Sequence, residues 1–128
     1  MSLRALALVS AVYDLLLGMG MLTAAPALAR LFGAPAPEPL VNAWLNGVFT
    51  LTLAGGYFWA AGDVVARRGY LWWAGVFAKS LGALVFLVDH YVNGSPASYL
   101  LFAACDGMLA LLTLALLLRQ PLGGVQRA

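Results

Sequence analysis

Lys79 lies near the middle of residues 71–88, LWWAGVFAKSLGALVFLV, which contain no other charged side chain. A helix over this segment rises about 1.5 Å per residue and is about 27 Å long, close to the thickness of the hydrocarbon layer of a bilayer. The segment therefore predicts a transmembrane helix with a cation near the bilayer midplane. Because an isolated ammonium at this depth costs at least about 2.5 to 3.5 kcal/mol, we expect Lys79 to have a carboxylate partner, a water-filled cavity or a route to the interface.

The composition excludes an ordinary soluble domain, because 63% of the 128 residues are hydrophobic, only 9% are charged and the mean hydropathy is +0.91. We treat residues 1–128 as a single domain. The net charge is +2, but the basic residues are scattered among apolar runs, so no surface for nucleic acid is predicted. The single cysteine, Cys105, excludes a disulfide or a multi-cysteine metal site within one chain.

Apolar runs predict an all-α polytopic membrane protein, a four-helix transmembrane bundle with helices over residues of about 3–25, 40–61, 70–90 and 97–118. The first run is similar to a secretory signal peptide, but Asp14 interrupts its apolar part, so we expect it to be retained as a transmembrane helix. A proline-rich connector at 33–39 and the turn signal NGSP at 93–96 separate neighbouring runs.

The basic residues indicate the orientation of this bundle. One side of the membrane would carry Arg4, Arg67, Arg68, Arg119 and Arg127, whereas the other side would carry Arg30 alone. Since cytoplasmic loops are enriched in lysine and arginine, both termini are predicted to be cytoplasmic.

Two aspartates reach the depth of Lys79 on other predicted helices. Asp14 and Lys79 each lie about ten residues, or about 15 Å, from one side of the membrane, and Asp106 lies about nine residues from the opposite side. Asn46 falls close to the same layer. Because each charge is costly in lipid by itself, we expect these four residues to form a buried polar centre that binds a ligand or handles protons. Further candidates for this centre are Thr50, Tyr57 and Ser80.

The second run has a polar face that supports this centre. Asn42, Asn46, Thr50 and Tyr57 follow the spacing of three and four residues that places side chains on one side of a helix. We expect this face to turn toward the other helices rather than toward lipid.

The polar centre has two interpretations. In one, Lys79 and the two acids form a structural clasp that fixes the register of the helices. In the other, they form a binding or proton-handling site. A buried ion pair is weak evidence for stability, because desolvation opposes the Coulomb attraction, so a structural role alone is not the obvious reason for its presence.

His90 is the only histidine of the chain. A single histidine excludes haem ligation by two histidines within one chain. Two interpretations remain for His90: it forms one axial bond to a haem or chlorin, or it is a simple interfacial residue. The sequence contains no nucleophile elbow, phosphate loop, paired-histidine metal signature or dinucleotide fingerprint. It therefore predicts no catalytic residue and no metal site, and it requires no cofactor.

Several short motifs support a family resemblance. They are Asn46-Gly47, Gly55-Gly56-Tyr57, the segment AKSLG at 78–82, and Asp106-Gly107. With these motifs, its size and its number of helices, the chain resembles the small four-helix bacterial membrane proteins of the DoxX-like type. The resemblance implies a location in the bacterial inner membrane, and some members of that group are linked to quinone-coupled sulfur redox chemistry. It assigns a role to no individual residue here.

Three functions are compatible with these features. The first is a non-enzymatic membrane protein whose polar centre binds a small amphipathic molecule, or which serves as an accessory subunit of a larger bioenergetic membrane complex. The second is a small proton-coupled transporter that works as a homodimer, in which Asp14 or Asp106 exchanges a proton for a substrate. The third is a quinone-linked membrane oxidoreductase, which only the family resemblance supports. The short loops favour the first, because they leave little water-exposed material for a soluble substrate site.

Overall fold

The computed structural model describes residues 1–119. Within this range the chain forms five helices and no strand, which confirms the predicted all-α class. The helices are α1 (Leu3–Thr23), α2 (Ala25–Leu31), α3 (Leu40–Gly62), α4 (Arg68–Asn93) and α5 (Tyr99–Arg119). Arg127, which contributes to the predicted orientation, lies outside the described residues.

Three of these helices are long and apolar enough to cross a membrane, namely α1 with 21 residues, α4 with 26 and α5 with 21. This property indicates a membrane protein. Helix α3 is also long, with 23 residues, but its amides, hydroxyls and glycines make it less apolar than the other three. Three of these polar residues, Asn42, Asn46 and Thr50, line the cavity described below.

Local signals explain where the helices begin and end. The Ser2 hydroxyl caps α1 by accepting a hydrogen bond from the backbone N–H of Ala5 at 3.1 Å. Pro26 lies in the first turn of α2, where its missing N–H costs no helical hydrogen bond. Gly94 ends α4 with a left-handed backbone, at φ 75°, which a residue without a Cβ adopts at little cost.

Helices α1 and α3 pack closely through two glycines. A Cβ atom placed on Gly18 would lie 2.9 Å from the carbonyl oxygen of Gly47, and a Cβ on Gly47 would lie 3.0 Å from the carbonyl oxygen of Gly18. Small residues allow this approach of two backbones, as is common between helices in membranes. Helices α4 and α5 form the second closely packed pair.

Part of α4 is not an α-helix. Residues Leu71–Ala78 form a π-helix, and the α-helical geometry resumes at Lys79. A π-helix places one extra residue in each hydrogen-bonded ring, so it changes the direction in which the following side chains point. Such segments are rare and frequently occur at functional sites.

The two ends of the bundle differ in packing. The basic end, formed by Leu3, Gly62, Arg68 and Arg119, is filled by a cluster of buried apolar side chains. The members of this cluster are Leu3, Ala7, Ala11, Tyr57, Ala60, Ala61, Leu71, Ala74 and Leu117. The opposite end, formed by Thr23, Leu40, Asn93 and Tyr99, is called the cavity end, because the cavity described below extends toward it.

Candidate functional site

The structure brings together the three charged side chains that the sequence predicts to meet. The Lys79 ammonium donates hydrogen bonds to Asp14 Oδ1 at 2.9 Å and to Asp106 Oδ1 at 3.1 Å. These residues, here called the ion triad, come from α1, α4 and α5. The arrangement joins three helices at one point, and it provides the carboxylate partners that a lysine at this depth requires.

The members of the ion triad differ in exposure. The Asp14 and Lys79 side chains are 4% and 6% exposed, whereas the Asp106 side chain is 15% exposed. Asp14 Oδ2 is buried and accepts no hydrogen bond from any residue within 1–119. Asp14 therefore holds the deeper and shorter contact with Lys79, and Asp106 is the acid that is more accessible.

Neighbouring residues shape the surroundings of the ammonium. The Lys79 Nζ atom lies 4.8 Å from the centre of the Tyr13 ring and 5.9 Å from that of Tyr57, within the range of a cation–π attraction. Gly82 leaves the space that the Asp106 carboxylate occupies, because a Cβ atom there would lie 2.9 Å from Asp106 Oδ2. A larger residue at this position would displace that carboxylate.

A cavity of about 500 Å³ has the ion triad at its floor and extends to the cavity end of the bundle. Its volume lies within the usual range of sites for small molecules. One wall is polar and consists of the α3 residues Asn42, Asn46 and Thr50. The cavity therefore combines charged and amide groups with the largely apolar surface of the remaining helices.

The opposite wall of the cavity is aromatic. Phe32, Phe86, Tyr99 and Phe102 all line it, and the ring centres of Phe32 and Phe86 lie 4.7 Å and 5.3 Å from that of Phe102. Phe86 follows Lys79 by seven residues and Tyr99 precedes Asp106 by seven, so the rings lie about 10 Å along the helices from the floor. The cavity thus has a charged floor and an aromatic upper wall.

Helix α2 covers one side of this cavity. Leu28, Ala29 and Phe32 line it, and the Ser98 hydroxyl donates a hydrogen bond to the carbonyl oxygen of Phe32. No function was predicted for this segment. The sequence signal for it is the run of apolar residues that continues beyond Pro26.

The other predicted site residues have different positions. Asn46 and Thr50 line the cavity, but Asn46 makes no side-chain hydrogen bond to the ion triad within the described residues, and the Thr50 hydroxyl donates to the carbonyl oxygen of Asn46. Tyr57 is buried below the triad, with a hydroxyl that lacks a partner within 1–119. Ser80 is exposed and does not line the cavity, so the structure does not bring it together with the ion triad.

His90 is also separate from the cavity. It lies near the end of α4, where its Nδ1 atom is 2.6 Å from the carbonyl oxygen of Ser95. No group of three or more histidine, cysteine or acidic side chains that could hold a metal ion occurs in residues 1–119. The structure therefore does not bring His90 together with the other predicted site residues.

The search for related proteins adds no family assignment, since no protein-family model, curated protein or solved structure matches the chain.

Proposed function

We propose that this chain is an integral membrane protein of four crossing helices, α1, α3, α4 and α5, whose cavity binds a small amphipathic molecule. The observation that carries this proposal is the cavity itself, which connects the charged floor to the cavity end of the bundle and has a volume of about 500 Å³. A structural clasp needs no such space, because three side chains that only fix the helix register can be enclosed by close packing.

The two walls of the cavity support an amphipathic ligand. The amides of Asn42 and Asn46 and the ion triad offer hydrogen bonds to a polar group. The aromatic wall offers an apolar surface to the rest of the molecule, since aromatic rings contribute large contact areas. A bilayer supplies such molecules in abundance, and a site of this kind needs no water-exposed domain.

The closed basic end supports binding rather than an open channel. Leu3, Leu6, Leu71 and Leu117 are no more than 2% exposed there, so tightly packed side chains separate the ion triad from that end of the bundle. Passage of a molecule through the protein would require these helices to move apart. Binding from the cavity end requires no such change.

We expect protein purified in mild detergent to retain a small molecule, in a roughly stoichiometric amount, that mass spectrometry of an organic extract identifies. The matched control is Asn46→Trp, which places a large side chain in the cavity from an exposed position of α3 and should remove most of the retained molecule. If both proteins retain the same molecule in the same amount, it binds elsewhere and the proposal is contradicted.

The proposed arrangement also makes a prediction about topology. Helix α3 should cross the membrane although it is less apolar than the others, because its polar residues face the cavity and not lipid. Both termini should then be cytoplasmic, as the arginines at the basic end indicate. Reporters fused after Gly33 and after Asp63, which flank α3, should report opposite sides of the membrane. If both fusions report the same side, α3 does not cross and the chain does not cross four times.

A further inference from the structure

We propose that the ligand of the cavity is a monovalent organic cation, an amphipathic amine whose ammonium binds at the acid pair of the ion triad and whose flat apolar body lies against the aromatic wall. This inference rests on the proposed function and specifies the chemical class of the ligand. It follows from the charge of the floor, the unequal exposure of the two acids, and the position of the aromatic rings.

The charges at the floor of the cavity do not balance. When ionised, the two carboxylates carry two negative charges, and Lys79 is the one cation that contacts them within residues 1–119. An uncompensated charge in a low-dielectric environment is costly, and it is relieved either by protonation of one acid or by a second cation at this point. A cationic ligand can pair with the second carboxylate, a neutral ligand cannot, and an anionic ligand would add to the negative charge.

The geometry indicates where this second cation binds. Lys79 already donates to one oxygen of each acid, Asp14 Oδ1 and Asp106 Oδ1. Asp14 Oδ2 lacks a hydrogen-bond donor within the described residues although Asp14 lines the cavity, and the Asp106 side chain is the more exposed of the two. An ammonium at the floor therefore contacts Asp106 first, and Asp14, whose Oδ2 atom is buried without a donor within the described residues, contributes a second negative charge nearby.

The aromatic wall defines the rest of the molecule. Phe86 and Phe102 lie with their ring planes at 28°, and Phe32 and Tyr99 are tilted against Phe102. A planar apolar group can stack on this surface while its amine reaches the floor about 10 Å away along the helices.

The experiment compares three probes that share one aromatic body, namely pyrenylmethylammonium, pyrenemethanol and pyrenecarboxylate. Binding is followed by pyrene fluorescence with the full chain in nanodiscs of uncharged lipid, after subtraction of empty nanodiscs. We expect the cation to bind at least about tenfold more tightly than the alcohol, since a charge-assisted hydrogen bond is markedly stronger than a neutral one, and the carboxylate to bind most weakly.

Two variants test the role of the acids. Asp106→Asn should weaken binding of the cation by about tenfold or more and weaken binding of pyrenemethanol much less, because the amide still offers hydrogen bonds but carries no charge. Lys79→Met/Asp106→Asn removes the ammonium as well and leaves Asp14 as the acid at the floor, so binding of the cation should return toward the wild-type value. This second variant shows whether a lower affinity of Asp106→Asn for the cation results from the removed charge or from misfolding.

The outcomes separate the two proposals. If pyrenemethanol and the cation bind equally well, and Asp106→Asn changes neither, the cavity binds amphipathic molecules but the inference about charge is wrong. If none of the three probes binds, the proposed function fails together with the inference. Preference for pyrenecarboxylate would also overturn the inference, since Lys79 would then be the group that the ligand contacts.

Discussion

Replacing Lys79 by methionine should destabilise the protein by about 3 to 5 kcal/mol, the usual cost of removing one partner from a buried ion pair. Methionine fills most of the volume of the lysine side chain, so the main effect is electrostatic. The variant leaves Asp14 and Asp106 close together without the ammonium that bridges them. Unfolding in mixed micelles, followed by circular dichroism, measures the change.

Removing one acid as well should recover part of this loss. In Lys79→Met/Asp14→Asn and in Lys79→Met/Asp106→Asn only one carboxylate remains, and the repulsion between the two acids is gone. We expect a coupling energy of about 0.5 to 3 kcal/mol in each double-mutant cycle, as for other residues in direct contact. Ser80→Met is the matched control for the methionine, because Ser80 is the adjacent residue and is exposed. Strictly additive effects in both cycles would contradict the contacts of the ion triad.

The ion triad could be predicted from the sequence because helical geometry fixes depth. Counting about 1.5 Å per residue from the ends of three apolar runs brings Asp14, Lys79 and Asp106 to one layer. Because each charged side chain is energetically costly in lipid by itself, these residues are then expected to contact one another. The contacts of the Lys79 ammonium at 2.9 Å and 3.1 Å agree with that argument. The polar face of α3 was predictable for a similar reason, since periodicity reports which residues share a side of a helix.

Other features of the site depend on contacts that no local pattern reports. Ser80 follows Lys79 in sequence, but adjacent residues of a helix point in different directions, so proximity to a charged residue does not place it in the centre. The hydroxyl of Thr50 bonds to the backbone of its own helix, a local alternative that competes with more distant partners. The cation–π contacts of Tyr13 and Tyr57 with Lys79 arise from packing between helices.

The aromatic wall could not be predicted from the sequence either, because it also depends on contacts between different helices. Phe32 follows α2, Phe86 lies on α4, and Tyr99 and Phe102 lie on α5, so residues far apart in sequence form one surface. Each ring alone is typical of an apolar membrane segment. The π-helix at Leu71–Ala78 has no sequence signature either, although it precedes Lys79 directly and affects the direction of that side chain.

Filling the cavity should abolish ligand binding while the protein remains folded. Ala29 lies on α2 and lines the cavity, so Ala29→Trp places an indole where we propose that the apolar body of the ligand lies. We expect the affinity for pyrenemethanol to fall by about a hundredfold or more, which corresponds to about 2.8 kcal/mol. Pyrene fluorescence in nanodiscs measures the affinity. The melting temperature should change little, since the new side chain occupies existing space instead of displacing packed residues.

The matched control is Ala104→Trp on α5. Ala104 is exposed and does not line the cavity, so its replacement adds the same side chain on the outer surface of the bundle. In a membrane this surface contacts lipid and not the cavity, so the affinity for pyrenemethanol should equal that of the wild type. Equal loss of binding in both variants would mean that the probe binds the outer surface. Unchanged binding in Ala29→Trp would show that the cavity is not the binding site, and the ion triad would then be better explained as a clasp between helices.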